Sequence, residues 1–118
     1  MAERIQCDVA VLGTGPAGLQ AAIHAARRKA DVVVLGKIVK SSAYQAHIEL
    51  AAELGVALDP ETMEYVSVNR RQETNVAGIY AAGDICGPPW QIAKAVGEGC
   101  VAGLEAAAYA KKPAKETS

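Results

Sequence analysis

Gly13, Gly15 and Gly18 stand in the spacing G-x-G-x-x-G, within Gly13-Thr14-Gly15-Pro16-Ala17-Gly18. A turn of this kind can hold a pyrophosphate. Its first glycine permits the tight turn, its second lets backbone approach the phosphates, and its third lets a helix pack closely on a strand. Unpaired N–H groups and the helix dipole then favour the anion. A second run, Ile79-Tyr80-Ala81-Ala82-Gly83-Asp84, ends in a carboxylate that can accept hydrogen bonds from the hydroxyls of a sugar-alcohol chain. A helix beginning near Gln91 would add free N–H groups and a positive dipole end, suited to a ring that gathers negative charge.

The glycine turn carries weight only between a strand and a helix, and its flanks supply both. Residues 4–12 read as a buried strand, with Ile5, Cys7, Val9 and Val11 on one face and Ala10 and Leu12 on the other. Apolar residues on both faces suit a parallel sheet covered on both sides. Residues 17–29 form an alanine-rich helix whose last turn holds Arg27, Arg28 and Lys29, complementing its negative end. Residues 31–35 are a second strand, which completes a βαβ unit. Further on, residues 37–42 are expected as a loop and 43–54 as a helix, capped by Ser42 and stopped by Gly55. A turn spans 56–60. Short strands are expected over 63–68 and 78–82, separated by a polar loop over 69–77. A last helix opens at Trp90 or Gln91 and runs to about Lys111, and 113–118 is a frayed polar tail. The fold class is α/β, a Rossmann-like parallel sheet with flanking helices, in a single domain over residues 1–118.

A chain of 118 residues supports one domain at most, with a small core. The apolar half of the composition is rich in Ala and Gly and contains no Phe. Such residues allow close backbone packing but fill a wide core poorly, so a bound cofactor or a second subunit is expected to complete it. The net charge of −1, from 12 basic and 13 acidic residues, gives no electrostatic case for nucleic acid or an anionic membrane. No apolar run approaches the ~20 residues of a membrane span. Glu3, Arg4, Gln6 and Asp8 interrupt the start, which does not read as a signal peptide. Cys7, Cys86 and Cys100 form neither a disulfide framework nor a zinc pattern, as expected of a reducing, cytoplasmic compartment.

Residues 74–84 resemble the second FAD motif of thioredoxin-reductase-like flavoproteins, within the pyridine nucleotide–disulfide oxidoreductase superfamily. Residues 5–35 resemble that family's opening βαβ unit, 54–68 its return strand and 91–108, with Gly97, Glu98, Gly99 and Cys100, its closing helix. Tyr44-Gln45-Ala46-His47-Ile48-Glu49 faintly resembles the segment that approaches the flavin. The resemblance implies a minimal FAD-binding domain that holds its cofactor without a covalent bond. Carried over, Gly13, Gly15, Pro16, Ala17 and Gly18 surround the pyrophosphate, and Gly83 and Asp84 meet the ribityl chain or a nearby oxygen. Gln91, Ile92 and Ala93 lie beside the pyrimidine edge of the isoalloxazine, with His47 facing the flavin. A helix start beside that edge would stabilise a reduced, anionic flavin.

The chain departs from the family pattern in three ways. Where an acid usually ends the second strand to bond the adenosine ribose, Gly36 stands, followed by Lys37. Lys37 or Lys40 could meet a phosphate and Ser41 or Ser42 the ribose, or these are solvated loop residues. Residues 37–55 occupy the interval where the family carries its NADPH domain, and there is no second G-x-G-x-x-G. The family's C-x-x-C pair is absent as well. The usual relay from NADPH through flavin to disulfide is therefore not expected within these residues. Flavin-dependent electron or hydride transfer from an external donor, NAD(P)H or a protein, is the expected activity, and a homodimer the expected assembly. The rivals are a non-catalytic flavin- or nucleotide-binding sensor and a dimerisation scaffold.

Other residues point to packing. Cys86 reads as a packed or half-exposed thiol, Cys7 and Cys100 as core residues, and His24 as a surface or packing residue. Trp90 either covers the ring or packs. No catalytic residue is named: the tyrosines form no grouping, and no carboxylate pair, Ser-His-Asp set or metal cluster stands out.

Overall fold

Two parallel strands and the helix between them carry the glycine turn. In the computed structural model, which describes residues 4–36 and 43–112, β1 is Val9–Leu12 and β2 is Val32–Leu35. Val9, Ala10, Val11 and Leu12 face Val32, Val33, Val34 and Leu35 in register. Helix α1, Pro16–Arg27, joins them. The chain turns back through Lys29, with Ala30 N–H donating to the Ala25 carbonyl at 3.2 Å and Lys29 N–H to that of Ala26 at 2.9 Å. These bonds satisfy carbonyls that a helix end leaves free. Helix α2 is Ala43–Glu53, ending at Gly55 as expected, and α3 is Ile92–Ala110. A single 3-10 turn, Asp84–Cys86, precedes α3. The loop over 37–42, the Ser42 cap, Lys37, Lys40 and the tail over 113–118 lie outside the described residues.

Three strand expectations are corrected. The first strand begins at Val9 rather than Arg4, because its partner β2 has only four residues and Asp31 already accepts from both Asp8 and Val9 N–H. Nor are both faces covered: Val11 is buried, but Leu12, Val34 and Leu35 are exposed, and so are Ile5 and Cys7, which leaves Cys7 out of the core. Residues 78–82 form no strand beside β1. Their backbone is engaged locally: Ala81 N–H donates to Gln72, while the Ile79 carbonyl accepts from Thr74 N–H at 3.1 Å and from the Thr74 hydroxyl at 2.8 Å. Residues 63–68 likewise contribute only an antiparallel bridge, Leu58 to Val66, and Tyr80 bridges to Glu73.

The packing divides into two small cores. One gathers Ala25, Ala30 and Ala107 with Val9 and Val32, between α1, the sheet and α3. The other gathers Ile48, Ala51, Val56 and Val66, with Leu58, Val68, Val76, Ile79, Ala81 and Ile85 against them. Helices α1 and α3 meet backbone to backbone. A methyl group at Gly99 would strike the Ala17 carbonyl oxygen, and one at Gly103 that of Ala21. The two glycines are four apart and so share one face of α3.

Gly97 lies in the same helix, but a methyl there would meet nothing. Gly97→Ala should therefore stabilise the protein by up to ~1 kcal/mol through helix propensity. Gly103→Ala should destabilise it by ~1–3 kcal/mol, since overpacking opposes that gain. Urea melts compared at equal slope check both signs.

Candidate cofactor site

An open cleft of about 1220 Å³ runs along β1, lined on one side by the glycine turn and on the other by Ala51, Val56 and Val66 of the second core. It exceeds the roughly 300–1,000 Å³ of an ordinary small-molecule pocket. Gly13, at the end of β1, donates its N–H to the Leu35 carbonyl at 2.6 Å and takes φ +120°, a conformation open to glycine. Gly18 touches Gly13, where any side chain would strike the Gly13 carbonyl oxygen. Gly15 differs from both. It caps α1 with φ −75° and ψ −179°, which any residue can adopt, and a methyl there would meet no protein atom. Nothing in the fold requires glycine at 15. Its backbone stands open to the cleft.

The second motif reaches the same place. Gly83 is buried at φ +92° and ψ −147°, in a region that glycine alone enters readily, and a methyl on it would lie 2.8 Å from the Ala17 Cβ. Residues from opposite ends of the sequence thus touch in the first turn of α1. Asp84 follows, exposed, and its carboxylate has no hydrogen-bond partner among the described residues. The Asp84 carbonyl closes the 3-10 turn, accepting from Gly87 N–H at 3.0 Å, and the carboxylate is left open to the cleft.

Two helices begin at the cleft without a side-chain cap or an acid in their first turn. α1 starts behind Gly15, and α3 behind Gln91. Their N–H groups and positive dipole ends suit an anionic ligand. Gln91, Ile92 and Trp90 line the cleft mouth, with Trp90 and Ile92 strongly exposed. His47 reaches across from α2, its Cε1 3.3 Å from where a Gly13 Cβ would stand. Gly36 lines the cleft with the Thr14 side chain lying over it, so an acid there would have to displace Thr14.

Of the expected site residues, Gly13, Gly15, Pro16, Ala17, Gly18, Gly36, His47, Gly83, Asp84, Gln91 and Ile92 line the cleft. Ala93 does not, since one step along a helix turns it about 100° from Ile92. Lys37 and Ser42 lie outside the described residues. Leu50, Tyr80, Ala106 and Tyr109 also line it and were not expected. Tyr80 belongs to the second motif, while Leu50 on α2 and Ala106 and Tyr109 on α3 carry no motif and are brought there by helix packing.

Residues 8–52 match the FAD binding domain family. This stretch is similar to that family's FAD-binding segment. It includes β1, the glycine turn, α1, β2 and most of α2. A ferredoxin–NADP reductase from Symbiobacterium thermophilum is 39% identical over 62 residues, 52% of this chain. The aligned part is 16% of that reductase's own length. The atypical thioredoxin reductase TRi from Desulfovibrio vulgaris Hildenborough aligns structurally over 71% of this chain and 25% of its own, with 31% identity and a TM-score of 0.49. FAD is the cofactor that the family match and the reductase relative support.

The Cys86 thiol, behind the cleft wall, is held protonated. Burial pushes the Cys86 thiol up to about 12, the Glu98 carboxylate adds to this, and Lys94 opposes it. Tyr80 is also raised, first by burial and then by Glu73, Glu105 and Tyr109. Among the described residues no metal-binding cluster occurs and no helix is long and apolar enough to cross a membrane.

In the unfolded chain Cys86 ionises near 9.0, well below its folded value of about 12. Its contribution to stability is therefore full below pH 9 and is lost as pH rises from 9 towards 12. A disulfide reagent at pH 8 should label exposed Cys7 in the folded protein, and Cys86 only after denaturation. Peptide masses read this directly, and equal labelling of the two in the folded state would refute the assignment.

Proposed function

We propose that the chain binds FAD without a covalent bond and works as the flavin module of a redox reaction with an external electron donor, NAD(P)H or a protein. The observation that carries this is the contact of Gly83 with Ala17, which brings the glycine turn and the Asp84 turn to one cleft. Bound there, FAD would supply electron and hydride transfer. The residues supply position and field. Gly15 leaves room for the pyrophosphate, and the N–H groups of Ala17 and Gly18 in the first turn of α1 meet its charge. Asp84 offers an acceptor to the ribityl hydroxyls. The free N–H groups behind Gln91 favour a ligand that becomes more negative on reduction. The apolar walls from β1 and the second core restrict water on the inner side.

A homodimer fits the exposed apolar side chains on α1, Leu19 and Ile23, and on the sheet, Leu12, Val34 and Leu35. Light scattering at twice the chain mass is the expected result.

Gly15→Val should cost no more than ~1 kcal/mol of stability, through a poorer N-cap, because a Cβ there meets no protein atom, yet abolish flavin retention after gel filtration. Asp84→Ala should weaken binding by ~1–3 kcal/mol through the lost hydrogen bond. Anaerobic bleaching of the flavin absorbance by NADH, NADPH or a reduced protein donor tests the redox role. A flavin reducible only by dithionite would leave a binding module without turnover, and a protein that retains no flavin would end the proposal.

A further inference from the structure

Lys94 is oddly placed for helix stability. It occupies the first turn of α3, where a cation opposes the helix dipole. Its partner Glu98 is four residues C-terminal, the weaker order for an i,i+4 pair. Both side chains are largely withdrawn from solvent, at 17% and 23% exposure, so water screens them less than a surface pair. What the pair holds explains its presence. Glu98 Oε1 accepts the Gly83 N–H at 2.9 Å, and Lys94 Nζ donates to the Gly83 carbonyl at 3.0 Å and to Glu98 Oε1 at 3.1 Å. Both amide groups of one glycine are gripped by one ion pair. That glycine is wedged between Ala17 of α1 and Ala95 of α3, in a conformation other residues avoid, and immediately precedes Asp84.

We infer that Lys94 and Glu98 are positioning residues: they clamp Gly83 so that the Asp84 carboxylate and the start of α3 address the same ligand. Neither residue lines the cleft. Their effect passes through the backbone of the turn. A charge-assisted bond to each amide group holds the turn from α3, so the angle between Asp84 and the helix start is set before any ligand arrives. The inference rests on the FAD reading and adds to it a rigid support that neither motif contains.

The test compares FAD with ADP. ADP needs only the glycine turn, whereas FAD needs that turn and Asp84. Fluorescence or calorimetric titrations should show Glu98→Ala weakening FAD about tenfold or more, the scale of a lost charge-assisted bond, with ADP affinity held within about twofold. Glu98→Gln keeps an oxygen acceptor for Gly83 and should recover most of the FAD affinity. Lys94→Met should act in the same direction as Glu98→Ala, and it serves if Glu98→Ala does not fold. In an Asp84→Ala background the Glu98→Ala loss should shrink to about threefold or less, because residues acting through one contact are not additive. Equal losses for FAD and ADP, no loss for FAD, or full additivity with Asp84→Ala would each overturn the positioning role. Failure of the unsubstituted protein to bind FAD would sink the FAD reading, and this inference with it, before any variant is compared.

Discussion

Bare backbone against bare backbone, where α3 crosses the first turns of α1, is the constraint on which the site depends. Gly99 and Gly103 let the helices approach until the Ala17 and Ala21 carbonyls lie where side chains would be. That closeness brings the Asp84 turn within reach of the glycine turn, with Gly83 against Ala17. A larger residue at either crossing position would push α3 outward, and the two motifs would part. Small residues thus do in this chain what large apolar ones do in a wide core. They gain proximity at the expense of filled volume, and the open cleft beside β1 is the consequence.

Electrostatics complete what packing begins. Two helix starts without side-chain caps and the Asp84 carboxylate, which has no hydrogen-bond partner among the described residues, face a single cleft. Such groups suit a polyanionic, hydroxyl-bearing ligand. The Lys94–Glu98 pair shows the opposite arrangement: its charges are spent within the protein, on Gly83. Cys86 sits near this pair as a neutral thiol, which burial and Glu98 both favour.

The glycine turn, the helix it opens and the strands around it were legible because their signals are local. Alanine density marks α1, Gly55 marks the end of α2, and Gln91 marks the start of α3. Residues 78–82 were misread for an equally physical reason. Alternation and β-branched residues say that a segment can be extended, but not which neighbour takes its hydrogen bonds. Gln72 and Thr74 are closer in sequence than β1 and claim them. Cys7 was misplaced for a related reason: an apolar pattern buries a residue only where another layer covers it, and none covers residue 7.

Read alone, the sequence determined the chemistry of the ends: a bare backbone at Gly15, an acid at Asp84, and a helix start behind Gln91. Each follows from residue type and immediate neighbours, because backbone conformation and dipole direction are set within a few residues. Only the tertiary structure decided that these ends share one cleft, that Thr14 lies over Gly36 where an acid was expected, and that Lys94 and Glu98 grip Gly83. Those depend on how closely two helices approach and on where a side chain lands after the chain has crossed itself. Distances of that kind are not encoded in spacing along the chain.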